Sequence, residues 1–275
     1  MKVIGRGLAW VGTVLFVLTV LVPLIWVIYS SIKSSPEILA SPWSLPSAPQ
    51  WNNYVKAWNE SRIGSYFWNS LYVCLVTLLI LIPVSAMASY IFAKHPFKGS
   101  NLIFGTFLGG MMFPQFLVIV PLYLLMLQLK MLNTHHGLII VYVAFSLPFT
   151  VFVLTGFFQQ LPDELGEAAM IDGCTDAGTF WRIMLPLARP GLIVVTIFNI
   201  IGLWNEYNLA LVLLNTKDRF TLPLGLANLS NTNQYTSDQG AMFAAIVIVM
   251  VPVLVIYWLL KEKIQQAMLA GAVKG

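Results

Sequence analysis

The sequence predicts an all-α transmembrane protein with six membrane-spanning helices. Of its 275 residues, 58% are hydrophobic and only 9% are charged, whereas soluble domains are about a quarter charged. The apolar residues also fall into stretches of about 20 residues, the length with which a helix crosses a bilayer of about 30 Å. These stretches are 8–32, 69–93, 102–127, 137–158, 191–214 and 240–260. We therefore treat residues 1–275 as one transmembrane domain.

The stretches are expected to be helices, because backbone groups in lipid must be bonded internally and the strict alternation of a β-barrel is absent. Lys and Arg residues indicate the orientation. With both termini in the cytoplasm, nine of the 15 lie inside and six outside. This weak bias favours cytoplasmic termini, and we expect most of these charges to anchor loops at lipid headgroups.

Several functional classes lack the residues they need. No basic run suggests nucleic acid, and no G-x-x-x-x-G-K-[ST] motif is present to cradle ATP phosphates. The adjacent His135 and His136 are expected in an external turn, so no metal site is predicted. Cys74 and Cys174 form no CxxC pair, which indicates neither a disulfide framework nor a zinc site. We therefore expect the chain not to be an enzyme.

Two long loops are expected on the outer side. The first, 34–68, is rich in Pro and Trp and is predicted to begin extended. The second, 215–239, is rich in Asn, Thr and Ser and is predicted to be a polar loop long enough to reach a partner outside the membrane.

The inner loop 159–190 is predicted to contain two short helices. Pro162, Asp163 and Glu164 favour a helix start, and Asp172-Gly173 indicates its end, with Gly173 in the left-handed conformation. A second helix is expected from Thr175 or Asp176 to Met184, with Pro186 and Pro190 breaking it before the fifth span. The residues alone leave two interpretations: contact with a soluble partner, or an amphipathic connector in the headgroups.

Polar residues inside spans are costly and usually face a cavity or another helix. In the fifth span, positions 199, 202 and 206 share one helical face, and position 205 is close by. In the third span, Pro114 and Pro121 are expected to bend the helix and open a cavity. Substrate binding and interhelical hydrogen bonding both remain open for these polar groups. The candidate substrate path comprises Gln115, Asn199, Asn205 and Glu206.

The inner loop resembles the EAA signature of ABC-importer permeases. The matching residues are Glu167-Ala168-Ala169, Asp172-Gly173 and Ile183-x-Leu185-Pro186. Two residues depart from the usual pattern: Gly166, where an acidic residue is common, and Cys174, where Ala is common. The resemblance extends over most of the chain and is nearest to the second permease of maltose-type carbohydrate systems. The further similar stretches are WNNYVKAW (51–58), NSL (69–71), PLYLL (121–125), LNT (132–134), LPF (147–149), WNEY (204–207) and GAVKG (271–275).

The resemblance implies a sugar-importing permease subunit whose coupling helix lies between spans four and five and contacts an ATPase. ATP and Mg would be bound by that partner, with no cofactor in this chain. The implied coupling residues are Glu164, Glu167, Ala168, Ala169, Asp172 and Gly173. The implied contacts with an external binding protein are Asn228, Asn231, Asn233 and Gln234. The implied tail at the ATPase interface is Gly271, Lys274 and Gly275.

The implied assembly contains a second homologous permease, two ATPase subunits and the binding protein. It lies in lipid, in the plasma (inner) membrane of a bacterium or archaeon. Two alternatives stay open. The first alternative is an ABC-importer permease whose substrate is a polyol or a sugar phosphate such as glycerol phosphate. The second is an ion-coupled secondary transporter.

Overall fold

The computed structural model describes the backbone of residues 2–236 and 238–272, and the side chains of residues 10–231, 238–259 and 261. Every regular element in the described backbone is helical. The helices are α1 (Lys2–Ser30), α2 (Ser35–Ala40), α3 (Asn52–Val55), α4 (Ile63–Lys94), α5 (Ser100–Met112), α6 (Gln115–Gln128), α7 (His135–Gln159), α8 (Glu164–Ile171), α9 (Asp176–Thr179), α10 (Leu185–Leu187), α11 (Arg189–Trp204), α12 (Asn208–Leu213), α13 (Leu222–Thr236) and α14 (Gln239–Ala272). Two π-helical turns (Lys56–Glu60 and Phe180–Met184) and one 3₁₀ turn (Lys217–Arg219) join some of them.

Among the described residues, four helical segments are long and apolar enough to cross a membrane: Trp10–Ser30, Ile63–Lys94, His135–Gln159 and Gln239–Leu259. Two bent pairs of helices raise the number to six if each pair is counted as one span. The all-helical transmembrane prediction is therefore confirmed with four to six candidate spans.

The third predicted span, 102–127, is broken rather than gently kinked. Helices α5 and α6 meet at 105°, and Phe113 and Pro114 between them are both extended, with ψ of 123°. The residue before a proline is disfavoured in the helical conformation, which explains a break at this place. The expected bend at Pro114 is therefore confirmed as a break, and Pro121 lies inside α6.

The fifth predicted span, 191–214, is interrupted near its end. Helix α11 stops at Trp204 and α12 starts at Asn208. The amide N–H groups of Leu209 and Ala210 donate to the Glu206 carboxylate at 2.7 and 3.1 Å. Glu206 therefore caps a new helix, and the prediction that it shares a helical face with Asn199 is wrong.

The polar segment 215–239 is mostly a helix and not a loop. Helix α13 occupies Leu222–Thr236, with Pro223 in its first turn, where a missing N–H costs nothing. Leu222 and Leu224 are buried, so packing outweighs the weak helix propensity of the Asn and Thr residues.

The chain divides into two compact units, Met1–Phe67 with Leu222–Pro252, and Trp68–Thr221 with Val253–Gly275. In the first unit, 41–50 contains no helix, as its prolines suggest, but α2, α3 and a π turn occupy other parts of the predicted loop. Lys33 does not anchor this loop at headgroups. It is fully buried, and its Nζ donates to the carbonyls of Ser41 (2.7 Å) and Ser44 (2.9 Å).

Asp238 organises the start of α14 in the same unit. Its carboxylate accepts hydrogen bonds from Ser35 Oγ, Lys56 Nζ and the N–H of Ala241, each at 3.2 Å. Burial by itself raises the pKa of Asp238, but the bonds from Ala241 and Lys56 outweigh it, so the pKa lies below its ordinary value of 3.8.

The second unit carries the EAA-like motif and the predicted path residues. Side chains of α4, α7, α11 and the segment 180–188 form an apolar core cluster in it: Ala86, Tyr90, Leu154, Phe158, Phe180, Met184, Ala188 and Val195. This core packs the ends of α4 and α7 against the segment 180–188, which contains the Ile183-x-Leu185-Pro186 part of the EAA-like signature.

Candidate functional site

The EAA-like motif forms a short helix with a defined start and end. At the start, the N–H groups of Gly166 and Glu167 donate to the carbonyl of Asp163. At the end, Gly173 has a φ of +83°, and its N–H donates to Met170 O at 3.0 Å. The N–H of Cys174 donates to Ala169 O at 2.9 Å. These two bonds are the Schellman pattern that terminates helices at glycine, so the predicted left-handed cap is confirmed.

The second predicted helix starts at the expected place. Thr175 is its N-cap, and the Thr175 hydroxyl accepts from the N–H of Gly178 at 3.1 Å. The chain then remains helical through the π turn and α10, so Pro186 does not break it. The break comes at Ala188, where the helix axis turns by 73°. Pro186 and Pro190 each lie in the first turn of the helix they start, a position that tolerates proline.

Lys94 fastens the start of α8 to the end of α4. Its side chain is 7% exposed, and Nζ donates to the Leu161 carbonyl and to Asp163 Oδ1, the latter at 2.6 Å. The Asp163 side chain is 77% exposed, so solvent weakens the ionic part of this contact. The position of the α8 start therefore depends on a nearly buried lysine that local sequence patterns did not mark as functional.

An aromatic cluster joins the π turn Phe180–Met184, which α8 contacts, to the ends of α4 and α7. The rings of Tyr90, Phe158 and Phe180 lie with centroids 5.2 to 6.4 Å apart. Such pairs contribute about 0.5–1.5 kcal/mol beyond the area they bury. His95 Nε2 lies 3.1 Å from the Tyr90 hydroxyl. The connection between α8 and the transmembrane helices is therefore a packed contact between several elements.

One face of α8 is exposed to solvent. Among the six implied coupling residues, only Ala169 is buried, and Glu164, Glu167, Ala168, Asp172 and Gly173 are exposed. Ile171 is 86% exposed, so an apolar side chain stands beside the carboxylates. A cavity of about 260 Å³ lies next to this helix. Its lining consists of Tyr90, Lys94, His95, Asp163, Gly166, Glu167, Met170, Asp176, Thr179 and Met184.

A second cavity, of about 150 Å³, collects most of the predicted path residues. Gln115, Asn199 and Glu206 line it, but Asn205 does not. The Asn205 amide donates to Ile201 O at 2.8 Å, within its own helix. The other lining residues are Tyr142, Phe145, Ser146, Phe149, Phe198, Gly202, Leu203 and Leu209. The structure thus brings together three of the four residues, although the helical-face argument for Glu206 is wrong.

Two of these polar groups are already bonded within the protein. The Asn199 amide donates to Thr150 Oγ1 on α7 at 3.0 Å and to Val195 O at 2.7 Å. Tyr142 donates to Glu206 Oε2 at 2.6 Å, in addition to the two amide bonds at the start of α12. Asn199 therefore makes the interhelical hydrogen bond that was one of the two interpretations. Glu206 lines the cavity and also bonds to Tyr142 of α7 and to the start of α12. Sequence patterns did not single out Tyr142.

The implied binding-protein contacts lie on α13, and the implied ATPase-interface tail lies at the end of α14 and beyond it in the sequence. Asn228 is half-buried and Asn231 is exposed on α13, whereas the side chains of Asn233 and Gln234 lie outside the described residues. Gly271 is in the last turn of α14, and Lys274 and Gly275 lie outside the described residues.

No group of three or more His, Cys, Asp or Glu that suits a metal ion occurs within the described part of the chain. His135 and His136 begin α7 and do not lie in a turn. Cys74 is buried and Cys174 is half-buried, and neither forms a disulfide.

Comparison with known proteins identifies relatives along almost the full length of the chain. The family model described as "binding-protein-dependent transport system inner membrane component" matches residues 81–262. The diacetylchitobiose uptake system permease protein NgcG of Streptomyces coelicolor is 44% identical over 258 residues, which cover 94% of this chain and 85% of that protein. The trehalose transport system permease protein SugB of Mycobacterium tuberculosis is 31% identical, over 93% of each chain.

Two further matches agree with these. The arabinooligosaccharides transport system permease protein AraQ of Halalkalibacterium halodurans is 32% identical over 98% of this chain and 97% of that protein. A chain in the crystal structure of a bacterial ABC transporter involved in the import of the acidic polysaccharide alginate has a TM-score of 0.79 at 24% identity. That alignment covers 94% of this chain and 96% of the other, and it establishes a shared fold.

Proposed function

Because the chain belongs to the family of inner membrane components of binding-protein-dependent transport systems, we propose that it is the permease subunit of an ATP-driven sugar or oligosaccharide importer. It is a multi-pass inner membrane protein, and the family implies an ATPase and a binding protein as partners. The catalytic step of ATP hydrolysis belongs to the ATPase. The relatives named for uptake of diacetylchitobiose, trehalose and arabinooligosaccharides support a carbohydrate substrate.

The observation that carries the proposal is the exposed, glycine-capped α8 seated on the ends of α4 and α7. A partner that binds its exposed face would push or pull on both helices. Lys94 joins the start of α8 to α4, and α8 contacts the π turn 180–184, whose Phe180 packs on Tyr90 of α4 and Phe158 of α7. Glu164, Glu167 and Asp172 provide negative charge, and Ile171 provides an apolar anchor. We assign the docking of the ATPase to this surface on the cytoplasmic side, with six spans and both termini cytoplasmic.

The cavity between α6, α7 and α11 is the proposed substrate path. Its lining combines the amide of Gln115 with the rings of Phe145, Phe149 and Phe198. Amides bind hydroxyl groups and aromatic rings pack against the apolar faces of sugars. The lining contains one carboxylate, Glu206, and no Lys or Arg. This composition favours an uncharged sugar over a sugar phosphate, since a phosphate would meet a carboxylate with no cation to offset it.

Transport then follows as a population shift between two conformations. ATP-bound ATPases would favour the outward-facing state, in which the cavity accepts sugar from the binding protein, and hydrolysis would restore the inward-facing state. Such a shift requires that the ATP-bound ATPase bind the outward-facing state more tightly. The assembly contains a second homologous permease and two ATPase subunits. Helix α13, with Asn228, Asn231, Asn233 and Gln234, and the tail with Gly271, Lys274 and Gly275 are the proposed further contacts with the binding protein and the ATPase.

Reconstitution in proteoliposomes tests this function. The chain, its second permease, its ATPase and its binding protein are expected to take up labelled neutral oligosaccharide only with ATP inside and binding protein outside. Omission of the ATPase is the matched control. Uptake by this chain alone, driven by an ion gradient, would overturn the proposal in favour of a secondary transporter.

A further inference from the structure

Two of the short sequence motifs, NSL at 69–71 and LNT at 132–134, have no role in either candidate site. In the structure, both supply an asparagine to the same segment, 213–220, which begins at the last residue of α12. The segment contains the 3₁₀ turn Lys217–Arg219 and ends next to Thr221, the residue before α13. Two distant motifs therefore converge on one connector.

Asn133 makes five hydrogen bonds to this segment. Its N–H donates to Leu213 O at 2.7 Å. Its side-chain Oδ1 accepts from the N–H of Asn215 (3.0 Å), the N–H of Thr216 (3.1 Å) and Thr216 Oγ1 (3.1 Å). Its carbonyl accepts from the Arg219 guanidinium. One residue thus bonds to both ends of the connector through its backbone and its side chain.

The backbone of Asn133 is suited to this role. Its φ is +55°, a left-handed conformation that asparagine adopts far more readily than most residues. In that conformation, its N–H, C=O and side-chain oxygen all form hydrogen bonds with the segment 213–219. The position therefore depends on two properties of asparagine, its tolerance of the left-handed backbone and its side-chain oxygen.

Helices α4 and α7 add three more bonds to the same connector. Asn69 Nδ2, from α4, donates to the carbonyls of Asp218 (2.9 Å) and Phe220 (3.0 Å). His135 Nε2, at the start of α7, lies 2.9 Å from the Arg219 carbonyl. We call the set Asn69, Asn133, His135 and residues 213–220 the brace. It joins α4, the α6–α7 connection and the segment after α12.

The brace lies at one end of α4 and α7, and Lys94, Tyr90 and Phe158, which hold the region of α8, lie at the other end. Asn69 and Lys94 are on α4, and His135 and Gln159 are the first and last residues of α7. At 1.5 Å per residue, each pair is separated by about 36–38 Å along the helix. Two long helices therefore connect the proposed ATPase surface at one end to a hydrogen-bonded connector at the other.

We infer that Asn133 is a positioning residue. It ties the ends of these helices into one rigid unit, so that they move together during transport and present the connector that leads into α13 in one conformation. This inference rests on the proposed function, because the motion and the binding protein belong to it. Asn133 touches neither the cavity nor α8, so its effect should appear in the response to the binding protein and not in ATP hydrolysis itself.

The test compares three variants of the complete transporter in lipid nanodiscs. Asn133→Gly keeps the left-handed backbone but loses Oδ1, whereas Asn133→Asp keeps both. Lys130→Gly is the control, because Lys130 has a φ of +56° in the same connection and its exposed side chain lies outside the brace. The first readout is amide hydrogen exchange of the peptide that contains Asn215 and Thr216. Each of these two amides loses one hydrogen bond in Asn133→Gly. Its exchange should therefore be about tenfold faster, which corresponds to about 1.4 kcal/mol.

The second readout is ATPase activity with and without the binding protein. For Asn133→Gly, we expect an unchanged basal rate and about a tenfold rise in the binding-protein concentration that gives half-maximal stimulation. Asn133→Asp and Lys130→Gly should behave like the wild type. If Asn133→Gly does not assemble, Thr216→Val removes one donor and should give a smaller change in the same direction.

Unchanged exchange in Asn133→Gly, or an equal effect of Lys130→Gly, would overturn the inference. A parallel fall in the basal and stimulated rates would also overturn it, since that indicates a general folding defect. A wild-type transporter that the binding protein does not stimulate would instead refute the proposed function, so the two failures are distinguishable.

Discussion

Replacing Gly173 by alanine tests whether the cap of α8 matters for docking. The backbone there has a φ of +83°, and an added Cβ would meet no atom within 4 Å. The substitution therefore costs only the strain of a left-handed residue, about 1–2 kcal/mol. Helix α8 has eight residues, too few to be stable without its cap and its packing. The strain should therefore reduce the population of the capped form.

The expected size follows from this cost. A change of about 1–2 kcal/mol corresponds to a factor of about 5 to 30 in a population ratio. If only the capped form binds the ATPase, its apparent dissociation constant rises by up to that factor. We expect the ATPase concentration that gives half-maximal uptake in proteoliposomes to increase by up to about 5- to 30-fold, with normal membrane insertion.

Matched variants separate the cap from general strain. Gly99 has a φ of +94° and open space around it, but it precedes α5, so Gly99→Ala carries similar strain away from α8. Gly173→Asn should recover much of the binding, because asparagine tolerates the left-handed conformation. Equal behaviour of Gly173→Ala and Gly99→Ala, or no recovery with asparagine, would refute the reasoning.

Three further substitutions address other contacts. Lys94→Met removes both bonds to the start of α8 and should raise hydrogen exchange in 160–173, with a cost of about 1–3 kcal/mol from the unpaired carbonyl. Glu206→Ala should lower the unfolding temperature by removing three hydrogen bonds, and a double-mutant cycle with Tyr142→Phe should give a coupling energy of about 0.5–3 kcal/mol. Because the pKa of Asp238 is lowered in the folded protein, its stabilisation is present above its ordinary pKa of 3.8 and is lost as the pH falls through the lowered value. Asp238→Asn should remove that part of the acid destabilisation, which thermal unfolding between about pH 5 and pH 3 measures.

Each of these has a contrary result. Unchanged exchange in Lys94→Met would mean that the contact of α8 with the π turn 180–184 is enough to hold it. Additive effects of the Glu206 and Tyr142 substitutions would show that their 2.6 Å contact contributes nothing. An Asp238→Asn protein with the acid sensitivity of the wild type would assign that sensitivity to other carboxylates.

The parts that sequence patterns predicted well are those that depend on neighbouring residues. Runs of apolar residues located the long helices α1, α4, α7 and α14 because a helix in lipid satisfies its own backbone. The short EAA-like helix and its left-handed Gly173 were predicted because caps involve residues at most five positions apart. The resemblance to ABC-importer permeases also depended on short motifs and was confirmed by the family match.

The parts that were wrong depend on distant contacts or on competing local signals. The segment 215–239 has a polar composition, yet α13 forms in it and buries Leu222 and Leu224. Local periodicity continued through 205–207, where Glu206 instead accepts bonds from Tyr142 and from the start of α12. At Phe113–Pro114, the proline indicates a bend, but it does not determine the 105° angle between α5 and α6.

The sequence alone therefore determined that this chain is a helical membrane protein with an EAA-like element, because hydrophobic length and helix caps are local properties. Only the tertiary structure decided what holds that element and what lines the cavity. Lys94 meets Leu161 across 67 positions, Tyr142 meets Glu206 across 64, and Asn133 meets Asn215 across 82. Such pairs form only when the helices have packed, since a buried donor or acceptor must find a partner wherever the fold places one.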